Sequence, residues 1–600
     1  MSNTNYISLF EIEKQKSLSK DVANTKSPLG DLGADAGGEV APLSSFETLK
    51  ANSNGLRGTL VESLNDPITG SLAADDQLLI KFHGTYQQQD RDLDEERKKQ
   101  KLEPLYSYLI RVRVPGGLTS PQQWLELDTL ADKYGDKTLK LTTRQAFQFH
   151  GVLKRNLKTT MQEINKTLLD TIAACGDVNR NVMASANPFE SLVHAEVAED
   201  AKRLSDYFLP KTKAYHEIWL DGELIAGGEQ EEEPIYGKTY LPRKFKTAFA
   251  IPPRNDTDVL SNDLGFIAIV ENGKLLGYNL TIGGGMAYTF GNTATYPRVA
   301  DVVGFFPKQQ LLEVAEAVIV FQRDHGNRSE RKNARLKYTV DRFGVDFFHA
   351  EILRTKGVKL ESAREYKFET LGDKYGWTKS EFGLWHYGVF VEGGKLGDRS
   401  GLNAKTALRE IAKIHTGTFI LTGNQNVVIA QVSEAQKPKI DALFKKYKVL
   451  NTDKLSQLRQ NSIACASLPL CALAFAEAER YLPVFIDKVD KILEANGLLQ
   501  TPISIRMTGC ANGCGRPFLA EIAMVGRAPG RYNLYLGASF TGDRLNKLYK
   551  EMLTEEQILA ELTPLLQDFA KTRETNEHFG DFVIRKGYIK ATTAGLNFHE

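Results

Sequence analysis

The sequence predicts a mixed α/β (α+β) protein of several domains, organised as two related halves about a pseudo-two-fold internal repeat. Three observations carry this prediction. The chain has 600 residues, which at roughly 100–200 residues per domain gives about three or four domains. Hydrophobic and charged residues make up 42% and 25% of it, the composition of a chain that folds rather than stays disordered. Finally, Leu141-Thr142-Thr143-Arg144-Gln145-Ala146-Phe147 is echoed 280 residues later by Leu421-Thr422-Gly423-Asn424-Gln425-Asn426-Val427.

Residues 1 to about 75 are rich in Ser, Asn, Asp and Gly with little periodicity, the pattern of a tail or wrapping arm. No apolar segment follows a basic start there, so a secretory signal is not expected and a cytoplasmic setting is. From Tyr108 to Val114 apolar and basic residues alternate as in a strand, and Pro115-Gly116-Gly117 turns the chain. An amphipathic helix is expected around 122–133, then a strand from Leu139 to Phe149. The same order returns as an extended segment, 384–391, then Gly393-Gly394, a helix through Leu408 and Ile411, and the echoing strand. A strand, turn, helix and strand used twice places a shared site between the copies. A last long helix is expected to start near Pro469 and Cys471 and run to Asn496-Gly497, with Pro483 kinking or dividing it. The longest uncharged stretch, 275–297, contains Gly283-Gly284-Gly285 and several Thr and Asn, so it does not form a membrane span.

Lys and Arg number 76 against 75 Asp and Glu, a formal net charge of +1, which argues against a nucleic-acid or membrane-surface protein. Any anion site must therefore come from local clusters. Such clusters occur at Arg111-Val112-Arg113, Lys140 to Arg144 with His150, Asn179-Arg180-Asn181, Arg243-Lys244-Phe245-Lys246 and Arg331 to Lys337. On strands, Arg111 with Arg113, and Lys244 with Lys246, would share a face. Four of the five cysteines form two spaced pairs, Cys465-x5-Cys471 and Cys510-x3-Cys514. Four thiolates suit an iron–sulfur cluster, one per iron. A structural zinc site competes, but its pairs are usually closer than the first one here; buried cysteines without a ligand role are the third reading. Cys175 has no partner at useful spacing and suits a core or pocket-lining thiol.

Two motifs then resemble a known family. Cys465-x5-Cys471 with Thr508-Gly-Cys510-Ala-Asn512-Gly-Cys514-Gly-Arg516 is similar to the cluster signature of siroheme-dependent sulfite and nitrite reductases, and Leu141 to Gly151 is similar to their siroheme-binding strand. The resemblance runs from about Leu56 to the C-terminus. Peripheral segments, Tyr86 to Asp92, Gln100 to Pro104 and Ala528 to Asn533, most resemble the assimilatory branch fed by an NADPH-oxidising flavoprotein (alpha) subunit. The resemblance implies six-electron reduction of sulfite to sulfide at a siroheme joined to a [4Fe–4S] cluster. By motif position Cys465, Cys471, Cys510 and Cys514 hold the cluster, and Cys514 also bridges to the siroheme iron. Arg111, Arg180, Lys244 and Lys246 match the residues that bind the substrate anion. Lys140, Thr142, Arg144, His150, Arg335, Gln425 and Asn512 match cofactor-side positions. Beyond the 1–75 arm, whose part before about Leu56 does not match the family, the resemblance implies a three-domain protein with ferredoxin-like half-domains at 76–173 and 376–450, a siroheme- and substrate-binding α/β domain at 174–375 and a 4Fe–4S- and siroheme-binding α/β domain at 451–600. Lys140 stands where the family pattern has Arg, replacing a fork by a point charge. No dinucleotide fingerprint or P-loop is present, so electrons come from another protein. A ferredoxin-linked sulfite or nitrite reductase is the alternative, and a non-catalytic four-cysteine binding module the remote one.

Overall fold

The computed structural model describes residues 41–211, 218–220, 223–226, 232–399 and 402–600, with Ser44–Glu600 forming one compact unit. Most of the expected 1–75 arm precedes this range; its described part forms short helices over Ser45–Asn52, Leu60–Asn65 and Ala74–Leu79.

Four larger sheets organise the unit, in two matched pairs. The first sheet orders its strands as Thr85–Gln89, Tyr106–Val112, Phe147–Val152, Leu139–Leu141 and Lys395–Leu396; the second as Gly376–Lys379, Trp385–Val389, Val427–Val432, Thr418–Leu421 and Leu118–Thr119. Each sheet therefore ends in a short strand contributed by the other copy. Leu396 pairs with Leu139, and Leu118 with Ile420. A glycine permits each crossing. A Cβ on Gly117, at φ +79°, would lie 2.3 Å from the carbonyl oxygen of Leu421, and one on Gly394, at φ +71°, would lie 2.3 Å from that of Leu141.

The helix Pro121–Tyr134 starts with a capping box, Ser120 and Gln123 exchanging hydrogen bonds, and with Pro121 in its first turn. Its counterpart, Ala404–Ile414, buries Ala407, Leu408 and Ile411 at the spacing of a one-sided helix. The two helices meet between the copies, where Trp124 stacks on Phe419 at 4.7 Å. Asp128 and Asp132 on the first helix pair with Lys405 and Arg409 on the second.

The third sheet contains Thr247–Ala250, Leu264–Glu271, Lys274–Ile282 and Asp301–Pro307; the fourth contains Ser462–Ala464, Ile505–Thr508, Ile522–Ala528, Arg531–Leu536 and Lys547–Leu553. In the third a parallel pair is followed by an antiparallel meander, and in the fourth three parallel strands are followed by two antiparallel ones. One hydrophobic core runs through the first three sheets and a second lies under the fourth.

Three local expectations are corrected. The strand expected over 139–149 is a hairpin, because Thr142–Ala146 turn the chain. Gln145 takes φ +50°, and Thr142 Oγ1 accepts from the amides of Arg144 and Ala146, both at 3.2 Å. The helix expected from Cys471 begins only at Leu482, so Pro483 occupies its first turn rather than a kink. Lys244 and Lys246 precede the strand Thr247–Ala250 rather than sit on one.

Candidate functional site

The parallel strands Ser462–Ala464 and Ile505–Thr508 end on the same side, the edge at which such sheets bind ligands. Cys465 follows the first strand directly, and Cys510 and Cys514 lie in the turn after the second. The amide of Gly509 donates to Cys465 Sγ at 3.3 Å. Burial pushes the thiols of Cys465, Cys471 and Cys510 up, that of Cys510 to about 12; repulsion from Cys514 is the next cause for each. Hydrogen bonds from Asn512 to Cys510 act in the opposite sense. The four thiols thus share one neighbourhood. Among the described residues no group of three or more His, Cys, Asp or Glu converges closely enough to hold a single metal ion. Four cysteines in one neighbourhood are the donor set of a cluster, in which each thiolate binds a different iron.

A set of cations faces the same volume. Burial, then Arg335, Arg180 and Arg243, pull Lys244 down to about 7. Burial and then Lys244, Arg335 and Arg144 hold Lys246 well below the usual lysine range. Cys514 acts on both lysines in the opposite sense, which puts the cysteine turn and the lysines at one site. Among the described residues neither ammonium has a hydrogen-bond or ion-pair partner. Arg180 donates to the carbonyl of Gly176 at 3.0 Å and to Tyr86 Oη at 3.4 Å. Arg111 donates to Cys175 Sγ at 3.2 Å and, with the Gln148 amide turned to offer its oxygen, to Gln148 at 2.5 and 2.8 Å. Cys175 is buried against this arginine, as a pocket-lining thiol would be. Arg113 is drawn elsewhere, doubly bonded to Asp170 at 2.6 and 3.0 Å and to Ser205 at 2.9 Å, so the expected Arg111–Arg113 pair in one cavity is corrected to Arg111 alone.

The remaining expected residues lie on the hairpins and strands nearby, Lys140 and His150 lining a separate cavity with Leu468, Pro469 and Glu479. Arg144 is anchored by Asn262 Oδ1 at 2.5 Å and the carbonyls of Asn181 and Thr247 at 2.6 and 3.0 Å. Burial and then Arg516 and Arg180 pull it down to about 9, and its Nε has no partner. Arg335 is bidentate with Asp263 at 3.1 and 2.6 Å. Gln425, at φ +71°, accepts from the amide of Ala464 at 3.2 Å; its counterpart Gln145 accepts from Ala184 at 2.9 Å. Lys140 is ion-paired to Glu479 and donates to the carbonyl of Gly393 at 2.5 Å. His150 Nδ1 lies 3.1 Å from Gln88 Oε1, and burial, then Lys140 and Lys395, hold its ring down to about 3. Asp263 and Asp258 were not anticipated, since nothing in their sequence neighbourhood marks them; Arg516 lay within a recognised motif without a role.

A buried pocket crowded with cations, two of them unpartnered, requires a bound polyanion to be neutralised. The chain's own residues therefore fit an anionic macrocycle and a small oxyanion beside a thiolate-held cluster.

Comparison with known proteins agrees with this chemistry. The model of the nitrite and sulphite reductase 4Fe-4S domain matches residues 199–360, and that of the nitrite/sulfite reductase ferredoxin-like half domain matches 100–167 and 379–447. The half-domain match thus falls once in each copy of the repeat. The sulfite reductase [NADPH] hemoprotein beta-component of Anoxybacillus flavithermus is 58% identical over 560 residues, covering 93% of this chain and 98% of the relative. The protein of the same name from Bacillus subtilis is 56% identical over 558 residues with the same coverage. The structure of Mycobacterium tuberculosis NirA protein superposes with a TM-score of 0.74 at 22% identity, covering 93% of this chain and 99% of that one, a likeness of fold.

Proposed function

This chain belongs to the nitrite and sulfite reductase family, and from that premise we propose that it is the hemoprotein of an NADPH-dependent sulfite reductase, converting sulfite to sulfide by six electrons. One observation carries the reading: the turn that holds Cys514 is bonded to the hairpin that holds Arg144, Thr143 Oγ1 donating to the Cys514 carbonyl at 2.9 Å, and Cys514 lies within electrostatic reach of Lys244 and Lys246. Siroheme and a [4Fe–4S] cluster, when bound, supply single electrons and an open iron position for sulfur.

The chain's residues supply the rest. Cys465, Cys471, Cys510 and Cys514 would hold the cluster, Cys514 being the ligand that would also serve the siroheme. Arg111, Arg180, Lys244 and Lys246 bind sulfite, an arrangement in which charge-assisted hydrogen bonds hold an oxyanion as its S–O bonds weaken. Lys244, whose ammonium titrates near neutrality in the empty pocket, is suited to hold and release a proton there. Thr142, Arg144, His150, Arg335, Gln425 and Asn512 line the cofactor side. Lys140, already neutralised by Glu479, contributes less to a carboxylate than a free cation would. Electrons arrive from a flavoprotein (alpha) subunit. Residues 76–173 and 376–450 are assigned as the half-domains, with 174–375 and 451–600 as the two cofactor-binding domains. A cytoplasmic setting belongs to the same reading; no described helix is long and apolar enough to cross a membrane.

The test is the visible spectrum with metal analysis. Siroheme bands with about five irons and four acid-labile sulfides per chain, together with NADPH-driven sulfide formation in the presence of the flavoprotein, are expected. Activity only with reduced ferredoxin would reassign the donor, and a colourless zinc protein from a siroheme-producing host would overturn the reading.

A further inference from the structure

Arg516 lies two residues after Cys514, is buried, and adopts a left-handed backbone at φ +51°. Its guanidinium spreads over both copies of the repeat. Nη1 donates to the carbonyl of Thr143 at 2.8 Å, and Nη2 to the carbonyl of Gly423 at 2.8 Å and to Asn424 Oδ1 at 3.3 Å. Thr143 and Gly423 are the same position of the two hairpins, separated by the 280-residue repeat. Nε is ion-paired with Asp258, which Arg506 also holds at 2.7 Å; Arg506 in turn donates to the carbonyl of Arg516 at 2.9 Å. Thr143 closes the circuit, its Oγ1 donating to the carbonyl of Cys514 at 2.9 Å.

This arrangement is expensive. Two buried guanidiniums share one carboxylate, which leaves positive charge unbalanced, and a left-handed non-glycine backbone adds about 1 kcal/mol. Only a planar fork can serve three directions at once; a lysine in its place would reach one of them. The contacts fix the C-terminal end of the turn that carries Cys514 against the two hairpins that also carry Arg144 and Gln425.

We propose that Arg516 is a positioning residue for Cys514, a clamp on the pseudo-two-fold relation that presents this one thiol to the shared cavity in a single orientation. The inference rests on the reading of Cys514 as the ligand common to cluster and siroheme. It is distinct from that reading, because every partner of the Arg516 guanidinium is a group of the chain itself, Thr143, Gly423, Asn424 and Asp258.

The full chain carrying Arg516→Lys, and separately Thr143→Val, is isolated with its cofactors and compared with the unaltered chain. Iron, sulfide and siroheme content are measured first, then the visible and electron paramagnetic resonance spectra, then sulfide formation. Arg516→Lys is expected to keep the cluster but to shift the siroheme bands and the spectrum of the reduced centre. Turnover should fall about ten- to a hundredfold, while KM for sulfite stays within roughly twofold. Thr143→Val, which loses only the hydroxyl bond to Cys514, should shift the same signals less. An Arg516→Lys protein with unchanged spectra overturns the proposal. So does an unchanged Thr143→Val spectrum if Arg516→Lys does not fold. If the unaltered chain itself contains no siroheme and cluster, the functional reading falls first and this inference falls with it.

Discussion

Replacing Lys244 by Met tests whether the pocket is built to hold charge that it cannot neutralise alone. Burial and the neighbouring arginines move this ammonium from 10.5 to about 7. That displacement corresponds to roughly 5 kcal/mol between the two protonation states, and partial solvent access reduces it to about 2–3 kcal/mol. The sign follows from linkage. Below pH 7 both folded and unfolded chains protonate Lys244, and the folded state bears the full penalty. Between about 7 and 10.5 the unfolded chain binds a proton that the folded one does not, so stability rises with pH across that window. Protein from a host that makes no siroheme should therefore be about 2–3 kcal/mol more stable as Lys244→Met at pH 6, and this gain should shrink steadily toward pH 10. The assay is urea unfolding at several pH values. A variant that is less stable than the unaltered chain at pH 6, or that keeps its pH slope, would refute the reasoning. In the loaded enzyme the same substitution removes a cation proposed to bind sulfite, so KM should rise even though the apoprotein is stabilised.

Cys514→Ser should abolish the coupled cofactor pair and sulfide formation together, read by metal analysis and hydrogen sulfide assay; full activity would remove Cys514 from the bridging role. Lys246→Ala should retain both cofactors in the spectrum and lose turnover, since it deletes an unpartnered cation of the pocket. Trp124→Ala deletes the ring stacked on Phe419 and edge-on to Phe147 at 5.5 Å. It should cost about 3–5 kcal/mol in denaturant unfolding while leaving the substrate affinity of the remaining folded enzyme unchanged.

Much of the site was legible from local spacing. The two cysteine pairs, the basic segments and the repeated hairpin are each encoded within about ten residues, and the structure bonds the turn of Cys514 to that of the hairpin at Thr143. What was hidden depends on contacts between distant segments. Asp263 gives no local signal, yet it fixes Arg335. Lys140 looks like a free cation until Glu479, more than three hundred residues later, closes on it. Arg113 alternates correctly with Arg111, but Asp170 captures it. The helix expected from Cys471 failed for a different reason: the apolar spacing of Ala476, Tyr481 and Phe485 mimics a helix, whereas the segment before Leu482 follows the cysteine turn and only Pro483 marks the true start. The 139–149 strand likewise hid a turn, because Gln145 at positive φ carries none of the usual Gly or Asn turn signals.

The exchanged edge strands have a consequence for the order of assembly. Lys395–Leu396 completes a sheet whose other strands end at Val152, and Leu118–Thr119 completes one whose other strands begin at Gly376. Neither half can be released as an independent folding unit, because each would be left with an open edge where its partner's strand belongs. These pairings also close loops of some 250 residues or more, so they form late, after the local hairpins. Once formed, they latch the two copies together around the site they share. The enzyme therefore cannot hinge apart between its halves to change cofactors, and a chain that latches empty must unlatch before it can be filled along that seam.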